Sequence, residues 1–320
     1  LLAAKETNGR FKNAEFTVTR GSDATYVGRD GLIKNTSSNI ESEVFINPTF
    51  DATISLGSAG SGWTDDGIGE VIFYNGGLKI TGEGTGYAKA RARNATNSSA
   101  ILETSRLYEL TYTIKSISSK NNTLSLYLAG NDATITQKSV GTHTILVASG
   151  TDTNKIFQFQ WSQSDNESIV LGDVSLKESL VTNGSFDTDS DWIKGGGATI
   201  SGGQGNIVGD GSSFIFLQQS NVFTIGNTYR ITVDVTINSG LGLKFQDGTT
   251  NENFGFATTS GSYTFYGVAN NEHFVIGRRM GGAAFDSSID NVSVFEIDNG
   301  ALPRIDFTDN TDGHLLLEPQ

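Results

Sequence analysis

RLYELTYTIKS, Arg106–Ser116, decides the fold of this chain. Tyr108, Leu110, Tyr112 and Ile114 fall on one face of an extended segment, and Glu109, Thr111, Thr113 and Lys115 fall on the other. Strict alternation of apolar and polar residues marks a strand with one buried side. The same pattern returns in NTYRITVDVTI, Asn227–Ile237. Here Tyr229, Ile231, Val233, Val235 and Ile237 oppose Arg230, Thr232, Asp234 and Thr236. Between Asn39 and Ile297 no run has the apolar spacing and caps of a helix.

Working outward, the two strands sit at matching places in one plan written twice. NPTFD at Asn47 and NGSFD at Asn183 are each followed by a Trp, Trp63 and Trp192. A Gly-rich stretch with one short apolar strand comes next, NGGLKITGEG and then SGGQGNIVGDG. After the long strands, Leu124, Leu126 and Leu128 share a face in TLSLYLAG, as Leu241, Leu243 and Phe245 do in GLGLKFQDG. Each copy closes on a matching strand, IVLGDVSLKE or SSIDNVSVFE. This predicts an all-β chain of two consecutive β-sandwiches, residues 39–178 and 179–297. They join at KESLVTNG, a linker short enough to fix their arrangement.

The composition agrees. The chain has 320 residues, 36% of them hydrophobic, with 39 Gly and 3 Pro, which suits short strands and tight turns. A net charge of −13 disfavours phosphate-backbone binding, so no nucleic-acid partner is expected. With no Cys, disulfides and thiolate metal sites are excluded. No apolar run reaches the length of a membrane span. His143, His273 and His314 are scattered, and no nucleophile elbow, metalloprotease motif or phosphate loop is present, so the sequence offers nothing for catalysis.

The order NPxFD, Trp, Tyr-x-(Ile/Leu)-Thr, Asp-(Asn/Val)-Val-Ser resembles the carbohydrate-binding modules of the four/nine type, in both copies. The resemblance implies jelly-roll sandwiches that hold glycans on aromatic rings and side-chain amides. In KIFQFQWS, alternation places Gln158 and Gln160 opposite Phe157, Phe159 and Trp161. The aromatics are expected in the core and the glutamines on the open sheet face. Gln158, Gln160 and the neighbouring Trp161 are the candidate glycan contacts of copy one. In copy two, HFVIGRRM sets His273, Val275 and Arg279 against Phe274 and Ile276, which makes His273 and Arg279 candidates. Arg278 and Arg279 stand out in an acidic chain; they suit an acidic saccharide or, more blandly, a solvated strand end. Phe254 and Phe256 are expected in the core, and Trp63 and Trp192 are expected to plug the sandwich edges. The resemblance also implies a structural Ca²⁺ between the first-strand carboxylate and the last strand, nominating Asp51 with Asp173 and Asp187 with Asp290.

A second resemblance lies outside the sandwiches. FTVTRGSDATYVGRDGLI, Phe16–Ile33, is similar to a segment of bacteriophage structural proteins. Its usual mate is here LPRIDFTDNTDGHLLLEPQ, from Leu302 onwards. The expectation is a split β-rich frame, residues 1–38 and 298–320, with the jelly rolls inserted between its halves. An opening without Met and an ending on LLLEPQ predict that the natural chain extends further. The resemblance implies a virion surface protein, a fibre or spike of tail or head, with other virion proteins as partners and a homotrimeric state. Its modules would adhere to host-envelope glycan without chemistry. Two other readings stay open: a purely structural cementing role, and accessory modules of a secreted polysaccharide-degrading enzyme.

Overall fold

In a computed structural model, the described residues are 43–297, apart from 51–54, 59, 85, 119–122, 162–165, 249–252 and 280–283. Six short strands outside that span are also described. The chain divides into two units, Leu1–Ile40 with Ile297–Gln320, and Glu41–Glu296. In the first unit, β1 (Lys5–Thr7) pairs with β2 (Arg10–Lys12) and β3 (Thr25–Val27) with β4 (Ile33–Asn35), both antiparallel. The rest of Phe16–Ile33 lies outside the described residues.

The second unit holds two jelly-roll sandwiches. The first comprises β5 (Trp63–Asp65), β6 (Glu70–Phe73), β7 (Leu78–Thr81), β8 (Ala88–Ala92), β9 (Arg106–Ile117), β10 (Leu124–Leu128), β11 (Asn131–Ile135), β12 (Gly141–Ala148), β13 (Phe157–Trp161) and β14 (Ser168–Thr182). The second comprises β15 (Ile193–Gly195), β16 (Thr199–Ser201), β17 (Gln204–Gly209), β18 (Phe216–Gln219), β19 (Thr228–Ser239), β20 (Leu243–Asp247), β21 (Asn253–Ala257), β22 (Gly261–Val268), β23 (Phe274–Arg278) and β24 (Phe285–Ile297). Beyond it, in the first unit, β25 (Arg304–Asp306) pairs with β26 (His314–Leu316); the remainder of the motif from Leu302 is not described.

Each sandwich stacks two five-stranded sheets. Their orders are β11-β10-β13-β8-β5 and β12-β9-β14-β7-β6 in the first, β21-β20-β23-β18-β15 and β22-β19-β24-β17-β16 in the second. Written this way the two sandwiches match in order strand for strand, so β13 answers to β23 and β9 to β19. Tyr108, Leu110, Tyr112 and Ile114 are fully buried, as are Tyr229 and Ile231. Alternation on β9 and β19 therefore reads through to the core as expected.

The repeat extends to single hydrogen bonds. Trp63 donates its indole N–H to the carbonyl of Asn47 at 3.0 Å, and Trp192 donates to Asn183 at 3.1 Å. Phe50 and Phe186 take left-handed backbone conformations, φ 56° and 53°, which cost energy for a bulky side chain. Both are buried against those tryptophans, with ring centroids 5.4 and 5.3 Å apart, and this packing holds the strain in place. The hydroxyls of Tyr108 and Tyr229 each accept a backbone N–H from five residues upstream, Glu103 and Thr224, both at 2.7 Å. Each also donates towards a glutamate on the last strand, Glu178 or Glu296. Burial raises the Glu178 carboxyl above its ordinary range, with Arg106 opposing the shift.

There are two cores, one drawn from Phe45 to Leu176 and one from Val181 to Val294. β14 runs from the first into the second. At the join Ser179 is buried, and its Oγ accepts the N–H of Val294 at 3.1 Å. Arg230 reaches back to Glu109 at 2.5 Å. One expectation fails here: Leu241 is 51% exposed, because it precedes β20 and lies outside the alternation that buries Leu243 and Phe245.

Candidate functional site

One sheet of each sandwich turns its polar side away from the core, and β13 and β23 run down the middle of those faces. In the first sandwich, register aligns Asp132, Tyr127, Gln158, Arg91 and Thr64 across the strands, with Thr134, Ser125, Gln160 and Lys89 in the next row. Gln158 and Gln160 thus point where alternation places them, yet both are buried. Gln158 gives its amide N–H to Asp66 at 2.9 Å, and Asp66 also grips the Arg91 guanidinium. Tyr127 donates its hydroxyl to Asp152 at 2.6 Å. Much of this face is spent on its own side chains. Trp161 belongs to the core, with no exposed surface, and its indole N–H goes to the carbonyl of Glu167. It has no ring face to offer a sugar.

The second face is built differently. Its rows are Ile193, Gln218, Val275 and Gln246, then Gly195, Phe216, Gly277, Lys244 and Phe256. Gly277 occupies the place that Gln160 holds in the first sandwich. A Cβ there would come within 2.5 Å of the Phe214 ring, so the ring lies directly on the sheet. Phe214 stacks on Phe216 with centroids 5.4 Å apart, and Lys244 stands over Phe214 at 5.1 Å. Phe256 is 45% exposed, with the Arg279 guanidinium 4.7 Å from its centroid.

Phe256 corrects the expectation of a core residue. A β-bulge between Phe245 and Gln246 leaves Phe254 as the unpaired extra residue, packed on the core, while Phe256 pairs opposite Lys244 and faces out. No run of residue types in NENFGFATT signals that slip.

His273 and Arg279 lie at opposite ends of β23 on this outward side, as alternation predicts. His273 is half-buried, and its Nδ1 has no partner among the described residues. Gln246 donates its amide N–H to the carbonyl of Gly248 at 2.7 Å, but its Oε1 is buried with no donor among the described residues. A buried acceptor left unmet costs about 1–3 kcal/mol; the half-buried Gln218, in the same row, is the amide within a ligand's reach. Arg278 is not the solvated strand end of the bland expectation. It is 1% exposed and lies over Phe285.

The nominated calcium positions divide. Asp51 lies outside the described residues. Asp173 is exposed, next to Val174, whose N–H goes to the carbonyl of Pro48. Asp187 is exposed and accepts the Ser185 hydroxyl at 2.7 Å. Asp290 is half-buried; burial, then the charges of Asp234 and Asp187, hold its carboxyl above the usual range. Among the described residues no group of three or more acidic or His side chains has the geometry to hold a metal ion. The side chains that are described do not by themselves complete a cation cage.

No protein-family model matches this sequence, and no curated protein is significantly similar to it. Among solved structures it is similar to the N-terminal CBM22-1–CBM22-2 tandem domain from Paenibacillus barcinonensis Xyn10C: 9% identity, 82% of this chain and 99% of that chain, TM-score 0.28. It is also similar to a structure described as "CBM4 structure and function": 15% identity, 37% of this chain and 99% of that chain, TM-score 0.26. An anti-sigma factor domain-containing protein follows at 9% identity, 73% and 85% coverage, and a TM-score of 0.17. Scores this low add nothing to what the strand pairing establishes by itself.

Proposed function

We propose that this chain is a non-catalytic glycan-binding protein, and that the outward face of the second sandwich is its main binding surface. One observation carries the reading. Three rings, Phe214, Phe216 and Phe256, line one sheet face, with the half-buried Gln218 amide in the adjoining row. Rings take the C–H faces of sugars, and amides take their hydroxyls. The first sandwich has the same architecture but ties Gln158 and Arg91 to Asp66, which fits a spacer or a weaker site.

The placement we propose is a virion surface, with host-envelope glycan as the target and other virion proteins and a homotrimeric stalk as partners. It rests on the two separated frame motifs in ATYVGRDGLI and LPRIDFTDNTDGHLLLEPQ. Accessory modules of a polysaccharide-degrading enzyme would use the same face and leave those motifs unexplained. A cementing role would bury the face against neighbouring subunits.

The test is binding of the whole chain to host cells with and without periodate oxidation of surface sugars, in parallel with a Phe216→Ala variant. Periodate-sensitive binding that the variant loses supports adhesion through this face. A folded chain that ignores periodate, or a variant that binds like the parent, overturns it.

A further inference from the structure

We propose that the outward face of the second sandwich takes the carboxylate of an acidic, uronate-type sugar residue, whereas the first sandwich's face does not. This rests on the glycan-binding reading and narrows it to a ligand class.

Charge distribution is the first observation. The chain carries 35 Asp and Glu against 22 Lys and Arg, so its cations have many possible partners. Arg91, Arg106, Lys155, Lys194 and Arg230 are all in ion pairs. Among the described residues several cations are in none, Lys89 on the first face included; on the second face Lys244 and Arg279 lie at one end, with Arg278 buried beneath the sheet. Lys244 lies opposite Gly277, and Leu243 opposite Arg278; Arg279 follows, its N–H on the carbonyl of Gly242 at 2.9 Å. No acidic residue stands in either outward row of that face.

The second observation is how these cations are held. Lys244 and Arg279 sit over the rings of Phe214 and Phe256, positions fixed by cation–π contact. Burial depresses the Lys244 ammonium below its ordinary range, and nothing beside it opposes the shift. Beneath the sheet, the Nε and Nη2 of Arg278 have no acceptor among the described residues. A buried guanidinium without a counter-charge is costly, and it leaves positive potential at that end of the face. The exposed Asp210, its carboxyl held low chiefly by the Ser212 hydroxyl and only slightly by Arg278, offsets little of that charge.

A uronate-containing glycan satisfies these groups together. β23 and β20 separate Phe216 from Phe256 by about 14 Å, so one sugar residue packs on Phe216 and another on Phe256. Hydroxyls reach Gln218, and a carboxylate meets Lys244 and Arg279. On the first face Lys89 is likewise in no ion pair, but Arg91 is already neutralised by Asp66, Asp132 stands in the Arg91 row, and no cation lies over an exposed ring as Arg279 does over Phe256.

The experiment is titration calorimetry of the full chain with polygalacturonate, with the same polymer after carboxyl reduction, and with dextran sulfate. Polygalacturonate should bind about tenfold or more tightly than its reduced form, the worth of one charge-assisted contact. Lys244→Met combined with Arg279→Gln should collapse that ratio towards one, in a variant whose thermal melt shows it folded. Equal binding of the two polymers leaves the glycan reading standing and overturns the acidic ligand. Dextran sulfate binding as tightly as polygalacturonate overturns it too, since charge alone would then suffice. Failure of every glycan, neutral ones included, overturns the glycan reading and this inference with it.

Discussion

Phe214 lies on Gly277, so close that a Cβ at that glycine would stand 2.5 Å from the ring's Cζ. Any side chain at 277 therefore lifts the ring off the sheet. Gly277→Gln, which copies the residue at the matching place in the first sandwich, should weaken glycan binding about three- to tenfold, the worth of one ring contact. Because both residues face outwards, the melting temperature should move little. Affinity electrophoresis beside a thermal melt checks this; unchanged binding would remove Phe214 from the site.

Tyr112 is fully buried and donates to the carbonyl of Gln137 at 2.8 Å, and burial pushes its hydroxyl pKa up to about 12. Tyr108 and Tyr229 are raised as well, mainly by burial. A raised tyrosine favours the fold fully below its unfolded value near 10 and loses that contribution as pH climbs through the folded value. Stability should therefore fall steeply between pH 10 and about 12. Tyr112→Phe should cost about 1 kcal/mol at pH 7 and fall less steeply in that window. Melts followed by circular dichroism test it, and a curve parallel to the parent's would count against the assignment.

How much of this was legible follows from what each residue type signals. Period-two alternation with a repeated order of landmarks reads directly as paired sandwiches, because a strand's inward residues are set by pleat alone. The outward direction of Gln158, Gln160, His273 and Arg279 came from the same rule. What alternation cannot supply is which outward groups are already used. Gln158 is tied up by Asp66, a residue 92 positions away in sequence. Phe214 and Phe216 carry no signal in the sequence, because a ring lying over a glycine on the next strand leaves no local pattern. Phe256 was misplaced because a bulge shifts register without changing composition.

The opening loop of the second sandwich is clamped to its last strand. Gly184 packs so closely on Val292 that a Cβ would collide with that residue's carbonyl oxygen, while the Val292 N–H bonds the Gly184 carbonyl at 2.9 Å. Gly184→Ala must push the opening loop of the second sandwich away from its last strand, at a cost of about 1–3 kcal/mol. The expected readout is a lower denaturation midpoint with the slope unchanged. A variant as stable as the parent would show that the loop yields freely.

Asp290 tests the proposed cation. Its carboxyl is raised first by burial and then by Asp234 and Asp187, so the folded state holds its proton more tightly than the unfolded chain does. Such a group favours the fold below the unfolded pKa and loses that contribution as pH rises through the folded value. In chelator, Asp290→Asn should therefore melt above the parent at pH 7, with the gap closing as the pH approaches the ordinary carboxylate range. A calcium ion held between Asp187 and Asp290 would need the charged carboxylate and supply the counter-charge that the described side chains lack. With millimolar calcium the parent should then overtake Asp290→Asn. An unchanged gap in calcium would remove the cation from this site and leave Asp290 as a destabilising group at neutral pH.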